Sequence, residues 1–206
     1  EFLFRVERDL GDTGAAAPVW TPSDLERHVL HAVREYSNYH PVAMQSLVAT
    51  VTDSWDLSIS ALAGVVLIEW VEWPIDKYPP VMVPFLRHGT TLKLTTDKTP
   101  DATNARVYWW AAHVVDELGS TVEYRHEDLI AAGAAAYALE ELAVQLTGDV
   151  AVDPHAVERY RSMAAARRMD FRRDLLRLTR AHAVKTSKLY TTETLRPDRE
   201  TTDWGP

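Results

Sequence analysis

The sequence predicts a mixed α+β protein, in which a bundle of three main helices carries an inserted antiparallel β-sheet module and both chain ends are extended arms. Two observations predict this class. Apolar residues recur at helical spacing in three segments, at about 23–37, 127–147 and 154–181. Between the first two, short runs rich in β-branched and aromatic residues are separated by Gly, Pro and Asp, which favours an antiparallel sheet over βαβ units.

The chain is expected to form one domain with two arms. Residues 1–20 form an N-terminal arm that ends in the turn-prone stretch GDTGAAAPVW, and its FLF start suggests a short added strand. Residues 21–181 form the single domain. Residues 182–206 have little periodicity and many Thr and charged residues, which predicts an extended C-terminal tail.

The helix boundaries carry recognisable signals. Thr21 or Ser23 can cap the first helix, and Pro41 stops it soon after Ser37. The second helix has the small-residue centre AAGAAA, which allows another backbone to approach closely. In the third helix, Asp153 is the expected cap and a proline takes the first helical position.

The β module, at about 45–113, is predicted to be apolar on both faces. In the last strand, RVYWWAAHVV, Trp109 points to one face and Trp110 to the other. In VVLIEWVEWP, simple alternation places Ile68 and Trp70 together, opposite Leu67. Such a sheet must be covered by helices of its own chain or by a neighbouring subunit.

The charge pattern is asymmetric. The chain has a net charge of −8, yet residues 155–181 hold eight arginines against three acidic residues. An acidic body with one basic helix is a poor candidate for wrapping DNA and favours copies or partners that meet acidic face to basic face. The alternative is that the arginines form a solvated helix face.

Composition narrows the chemistry. The chain has no cysteine, so disulfides, thiolate zinc sites and cysteine nucleophiles are excluded. No uninterrupted apolar run, including ALAGVVLI at 61–68, approaches the roughly 18 residues needed to span a bilayer, so no membrane partner is expected. No phosphate-binding glycine motif and no nucleophile elbow is present, so no cofactor is expected.

Three titratable constellations are candidates for catalytic or metal sites. They are the pair His28 and His31 on one helix, His113 followed by Asp116 and Glu117, and the pair Glu69 and Glu72. The histidine pair lacks a metal-binding signature, His113 ends a strand that runs into a polar turn, and the two glutamates face opposite sides of a strand. The sequence therefore predicts no catalytic residue, no metal site and no enzyme.

The order of elements resembles one known family. Four sequence segments carry this resemblance: PSDLERHVLHAVREYSNYHP, GVVLIEWVEWPIDKYPPVMVPF, YWWAAHVVDELGSTVEYRHEDLIAAGAAAYALEELA and RYRSMAAARRMDFRRDLL. Over residues 21 to about 181 their layout is similar to that of the head-to-tail adaptor, or connector, proteins of tailed bacteriophages. The N-terminal arm has no counterpart in the family.

The resemblance implies a structural virion protein. Such proteins form a ring of twelve copies that docks beneath the portal protein, meets the tail or tail-terminator protein, and continues the channel through which genomic DNA passes without sequence-specific binding. It implies assembly in the host bacterial cytoplasm and a final location in the neck of the virion.

The resemblance also points to interface residues. The C-terminal tail would reach the portal through Lys185, Lys188, Tyr190, Leu195, Arg196 and Trp204. Subunits would meet through Arg167, Arg168, Arg172, Arg173, Trp70 and Trp110. The alternative function is a β module that binds a small ligand or carbohydrate through its tryptophans, with hydrolytic activity as a further option.

Overall fold

The computed structural model describes residues 1–13, 19–116, 119–147 and 153–183. The helices are α1 (Phe2–Leu10), α2 (Pro22–Tyr39), α3 (Glu127–Thr147) and α4 (Pro154–Ala183), and a 3₁₀ turn at Tyr124–His126 precedes α3. The strands are β1 (Val42–Ala49), β2 (Asp56–Ser58), β3 (Val65–Glu72), β4 (Phe85–His88), β5 (Thr91–Leu94), β6 (Asn104–Ala111), β7 (Val115–Asp116) and β8 (Gly119–Ser120). The mixed α+β class is confirmed.

The four helices share one apolar core. Leu25 and Tyr36 of α2, Ile130 of α3, and Phe171 and Leu175 of α4 are all fully or almost fully buried in it. The start of α2 is fixed by a capping box, in which the Thr21 side chain accepts from the Asp24 amide and the Asp24 carboxylate accepts from the Thr21 amide. The predicted helices at 23–37, 127–147 and 154–181 are therefore confirmed to within two residues.

The predicted N-terminal arm is wrong over residues 2–10, which form helix α1 instead of an extended segment or an added strand. Val6 of this helix is fully buried in the helical core. Arg5 forms ion pairs with Glu127 at 2.9 Å and with Asp128, both in the first turn of α3. The physical reason is a short apolar stripe, Phe2, Leu3, Val6 and Leu10, at helical spacing, which outweighs the turn-prone sequence that follows.

The close approach of α3 and α4 depends on one glycine. A Cβ atom at Gly133 would lie 2.8 Å from the Phe171 ring. The small-residue centre of α3 therefore accommodates the Phe171 side chain of α4, whereas the sequence predicted the close approach of a backbone. By length and composition, the span Tyr124–Thr147 could cross a membrane; 56% of its most apolar window is buried inside the protein, as is usual for a core helix.

The β module contains two three-stranded antiparallel sheets, in the orders β1-β6-β3 and β2-β5-β4. Their facing sides share a second core, which includes Leu57, Val71, Leu92, Val107 and Trp109. Residues 81–83 join the sheets along β3, because the Val83 amide donates to the Val71 carbonyl at 2.8 Å. The module begins at Val42, three residues before the predicted start.

Strand β3 does not alternate as predicted. It pairs with β6 through Val65, Leu67, Ile68, Trp70, Val71 and Glu72, with register shifts between Val65 and Leu67 and between Ile68 and Trp70. Each bulge inserts one residue and reverses the alternation. Ile68 consequently faces the core opposite Trp109, whereas Trp70 and Leu67 share the other face, which corrects the predicted pairing of Ile68 with Trp70.

Candidate functional site

The face of the first sheet that points away from the second sheet is the strongest candidate for an interaction surface. We call it the outer sheet face. Residues directly opposite each other in antiparallel strands share a face, so the β6 residues Arg106, Tyr108 and Trp110 define it. Their partners are Leu47, Gln45 and Ala43 on β1 and Glu72, Trp70 and Leu67 on β3.

The outer sheet face exposes large apolar side chains in all but its central strand. Leu47 is 57% exposed, Leu67 is 56% exposed and Trp70 is 48% exposed. Trp110, between the two leucine-bearing strands, is only 7% exposed. Of the two tryptophans predicted to form a subunit interface, Trp70 is therefore available to a partner in the single chain, and Trp110 is already covered.

One end of the outer sheet face is polar and internally satisfied. Glu72 is 2% exposed, and its carboxylate accepts hydrogen bonds from Arg106 Nη1 at 3.0 Å and from the Tyr108 hydroxyl at 2.9 Å. Arg106 also pairs with Asp76 at 3.1 Å. Because the buried carboxylate is paired and hydrogen-bonded, this group fixes the orientation of Tyr108 beside Trp70.

The four predicted interface arginines of α4 make contacts within their own chain. Arg167 donates to the Asp9 carbonyl at 3.0 Å, Arg168 pairs with Glu140 at 2.7 Å, Arg172 pairs with Glu35 at 3.3 Å, and Arg173 pairs with Asp170 at 2.8 Å. Three of them therefore tie α4 to α1, α3 and α2. The side chains of Arg172 and Arg173 remain 54% and 56% exposed, so they can also reach a neighbouring molecule.

A cluster of three histidines around Tyr36 joins the helices to the β module. The Tyr36 hydroxyl lies 2.7 Å from His126 Nδ1 and 3.2 Å from His40 Nδ1. The His113 backbone amide donates to Ser37 Oγ at 2.9 Å, and His113 Nε2 lies 2.8 Å from the His40 carbonyl oxygen. Only His113 of this cluster is indicated by the sequence; the other residues are separated along the chain and meet only through the fold.

This junction cluster is buried, and burial disfavours the charged forms of its side chains. Burial lowers the pKa of both His113 and His126 and raises the pKa of Tyr36 to about 12. His113 does not use Asp116 as its orienting partner, because its Nδ1 lies 3.2 Å from Thr121 Oγ1. Glu117 lies outside the described residues. The cluster therefore has the character of a structural joint more than of an acid–base site.

The predicted histidine pair lies in an open groove between α2 and α3, with a volume of about 700 Å³. His28 is buried, and its Nε2 lies 3.2 Å from Glu141, while burial lowers its pKa. His31 stacks on the Tyr137 ring at 4.0 Å. The two rings thus have different partners, and within the described residues no group of three or more His, Asp or Glu side chains is arranged to hold a metal ion.

The tail residues Lys185, Lys188, Tyr190, Leu195, Arg196 and Trp204 lie outside the described residues, so their predicted contact with the portal stays a prediction. Comparison with known proteins adds no relative: no family model matches the chain, and no curated protein matches it.

Proposed function

We propose that this protein is a structural subunit of a homo-oligomeric ring, and specifically a head-to-tail adaptor of a tailed bacteriophage. The observation that carries the proposal is the outer sheet face, where Leu67 and Trp70 are half-exposed side by side. Exposed apolar side chains grouped on one face mark interaction sites more often than solvated surface. The layout of elements along residues 21–181 supports the more specific assignment to an adaptor.

The contacts proposed for this ring divide by location. The outer sheet face packs against the neighbouring copy, and the exposed sides of Arg172 and Arg173 approach acidic groups of that copy. The tail docks on the portal, and the opposite side of the ring meets the tail or tail-terminator protein. Genomic DNA passes through the channel without sequence-specific contacts, and the ring, of about twelve copies by family resemblance, lies in the neck of the virion.

Imaging with the portal tests this proposal. The native chain is mixed with portal protein, and rings are counted by electron microscopy and native mass spectrometry. Trp70→Lys should abolish ring formation because it places a charge on the apolar contact. Tyr78→Lys is the control, since Tyr78 is 98% exposed and lies in the loop between β3 and β4, outside the strands. Rings that form equally well with Trp70→Lys would overturn the role of this face.

A second experiment separates the ring from its attachment. A chain that ends at residue 183 retains every described helix and strand, so it should fold normally. We expect it to lose attachment to the portal while its thermal unfolding is unchanged. A truncated chain that still attaches would remove residues 184–206 from the mechanism.

One observation favours the ligand-binding alternative. Trp55 is 39% exposed and lies in an open cleft of about 700 Å³ with His88, Lys93 and Asp97. A tryptophan beside polar side chains is a common carbohydrate platform. Titration with an oligosaccharide panel, read by tryptophan fluorescence in Trp55→Phe and the native chain, tests it; saturable quenching that disappears in Trp55→Phe, from a protein that forms no ring, would favour this function.

A further inference from the structure

Strand β1 is an end strand of its sheet. It pairs with β6 through an unbroken register of eight residues, and within the described residues no strand is hydrogen-bonded to its other side, although β2 comes close to β1 at a few residues. Its sequence, VAMQSLVA, contains no charged residue and no proline. Natural sheets protect their edges with charges, prolines or bulges, and β1 has none of these.

The opposite edge of the same sheet differs. Strand β3 carries two bulges and the acidic residues Glu69 and Glu72. Its far end is covered by residues 81–83, through the Val83–Val71 and Trp73–Val81 backbone hydrogen bonds at 2.8 and 3.0 Å. Among the residues that the structure describes, only one of the two edges of this sheet is therefore left long, regular and uncharged.

The core side of β1 is also incompletely covered. Met44 lies opposite Trp109, which is 5% exposed, so the two side chains share the face that points into the β-module core. Met44 nevertheless remains 44% exposed. A half-exposed apolar core side chain next to a backbone edge without a hydrogen-bonded strand indicates a place for an additional strand.

We propose that this strand is β1 of a second copy of the chain, paired antiparallel about a twofold axis at Ser46. The two three-stranded sheets then become one sheet of six strands. The contact goes beyond the proposed ring, because a twofold contact closes on itself and makes a pair.

Register and composition both fit this partner. Directly opposite residues must share a face, so only registers that match core side with core side are allowed. About Ser46, Met44 meets Val48 of the second copy on the core side, and Leu47 meets Gln45 of the second copy on the outer face. Both exposed apolar side chains of the strand gain a neighbour, and with no charge in the strand no like charges meet.

A mixed cross-linking experiment tests the register, since the chain has no native cysteine. A chain carrying Gln45→Cys is mixed under mild oxidation with a tagged chain carrying Leu47→Cys. These positions lie opposite each other in the proposed pair, so a mixed disulfide should form. Mixing Gln45→Cys with Ala43→Cys is the control, because those positions would be four residues, or about 13 Å, out of register. Equal cross-linking in both mixtures, or none in either, would overturn the proposal.

Oligomeric state gives a second measurement. By native mass spectrometry without portal, the wild-type chain should be a dimer and Leu47→Lys a monomer. Leu67→Lys is the matched control: Leu67 is 56% exposed, against 57% for Leu47, and lies on the same face but on β3. It should leave the dimer intact. A chain that forms rings with the portal, yet is monomeric alone and does not cross-link, overturns the β1 pairing and leaves the proposed ring standing. A chain that dimerises and cross-links as proposed, yet forms no ring with the portal, overturns the ring alone.

Discussion

Replacing Gly133 by alanine should destabilise the protein even though alanine is the better helix former. In an exposed helix interior, this substitution gains about 1 kcal/mol. At this position, however, the new methyl group would lie 2.8 Å from two atoms of the Phe171 ring, which is itself only 2% exposed. Overpacking of this kind costs about 1–3 kcal/mol. A cost near 2 kcal/mol leaves a net loss of about 1 kcal/mol, or roughly 3 °C in Tm for a chain of this size.

A second background separates the two contributions. In Phe171→Leu the ring is absent, so the clash disappears and only the helix-propensity gain remains. Gly133→Ala should then stabilise the protein by about 1 kcal/mol, a reversal of sign. Urea unfolding followed by circular dichroism on the four chains of this double-mutant cycle measures the coupling, expected at about 2 kcal/mol. An effect of the same sign and size in both backgrounds would refute the argument that Gly133 exists to admit Phe171.

The remaining predictions concern α1, the α2 cap and the junction cluster. Val6→Ala should cost about 2 kcal/mol, because Val6 is fully buried, whereas Phe4→Ala, at an exposed position of the same helix, should change urea unfolding little; equal effects would argue against α1 docking. Thr21→Ala should lower the free energy of unfolding by about 1 kcal/mol, and Thr21→Ser should leave it almost unchanged. Equal stability of both variants and the native chain would show that the capping box contributes little. Since burial lowers the pKa of His113 and His126, the unfolded chain takes up protons first as the pH falls below about 6.5. The free energy of unfolding should therefore decrease from pH 7 to pH 5, and less steeply in His126→Asn; a flat profile in the native chain would contradict this.

The helices were predictable because their signals are local. Proline and a capping residue mark the starts of α2 and α4, and helical periodicity runs through the segments between. Helix α1 shows the same periodicity, in Phe2, Leu3, Val6 and Leu10. The glycine- and alanine-rich stretch that follows them favoured the incorrect prediction of an extended arm. Alternation in β6 was also predictable, because that strand is regular.

What the sequence does not reveal depends on contacts between distant segments. The two bulges in β3 have no signature in VVLIEWVEWP, and they decide that Trp70, not Ile68, faces outward. The division of the module into two sheets requires knowledge of which strands pair. The junction cluster brings together Tyr36 with His113, 77 residues later, and with His126, 90 residues later. No local pattern could therefore indicate it. The interface arginines were recognisable as a basic helix, but their ion pairs with Glu35 and Glu140 emerge only from helix packing.

The connection at Ser37 and His113 has a mechanical consequence. The chain leaves α2 at Tyr39 and returns to the 3₁₀ turn at Tyr124, so everything between is attached to the helices at one narrow neck. An eight-residue strand is about 26 Å long, so a rotation of about 10° at that neck would carry the far end of the module through about 5 Å. The junction cluster thus lies where a small local rotation would produce a large displacement at the far end of the module.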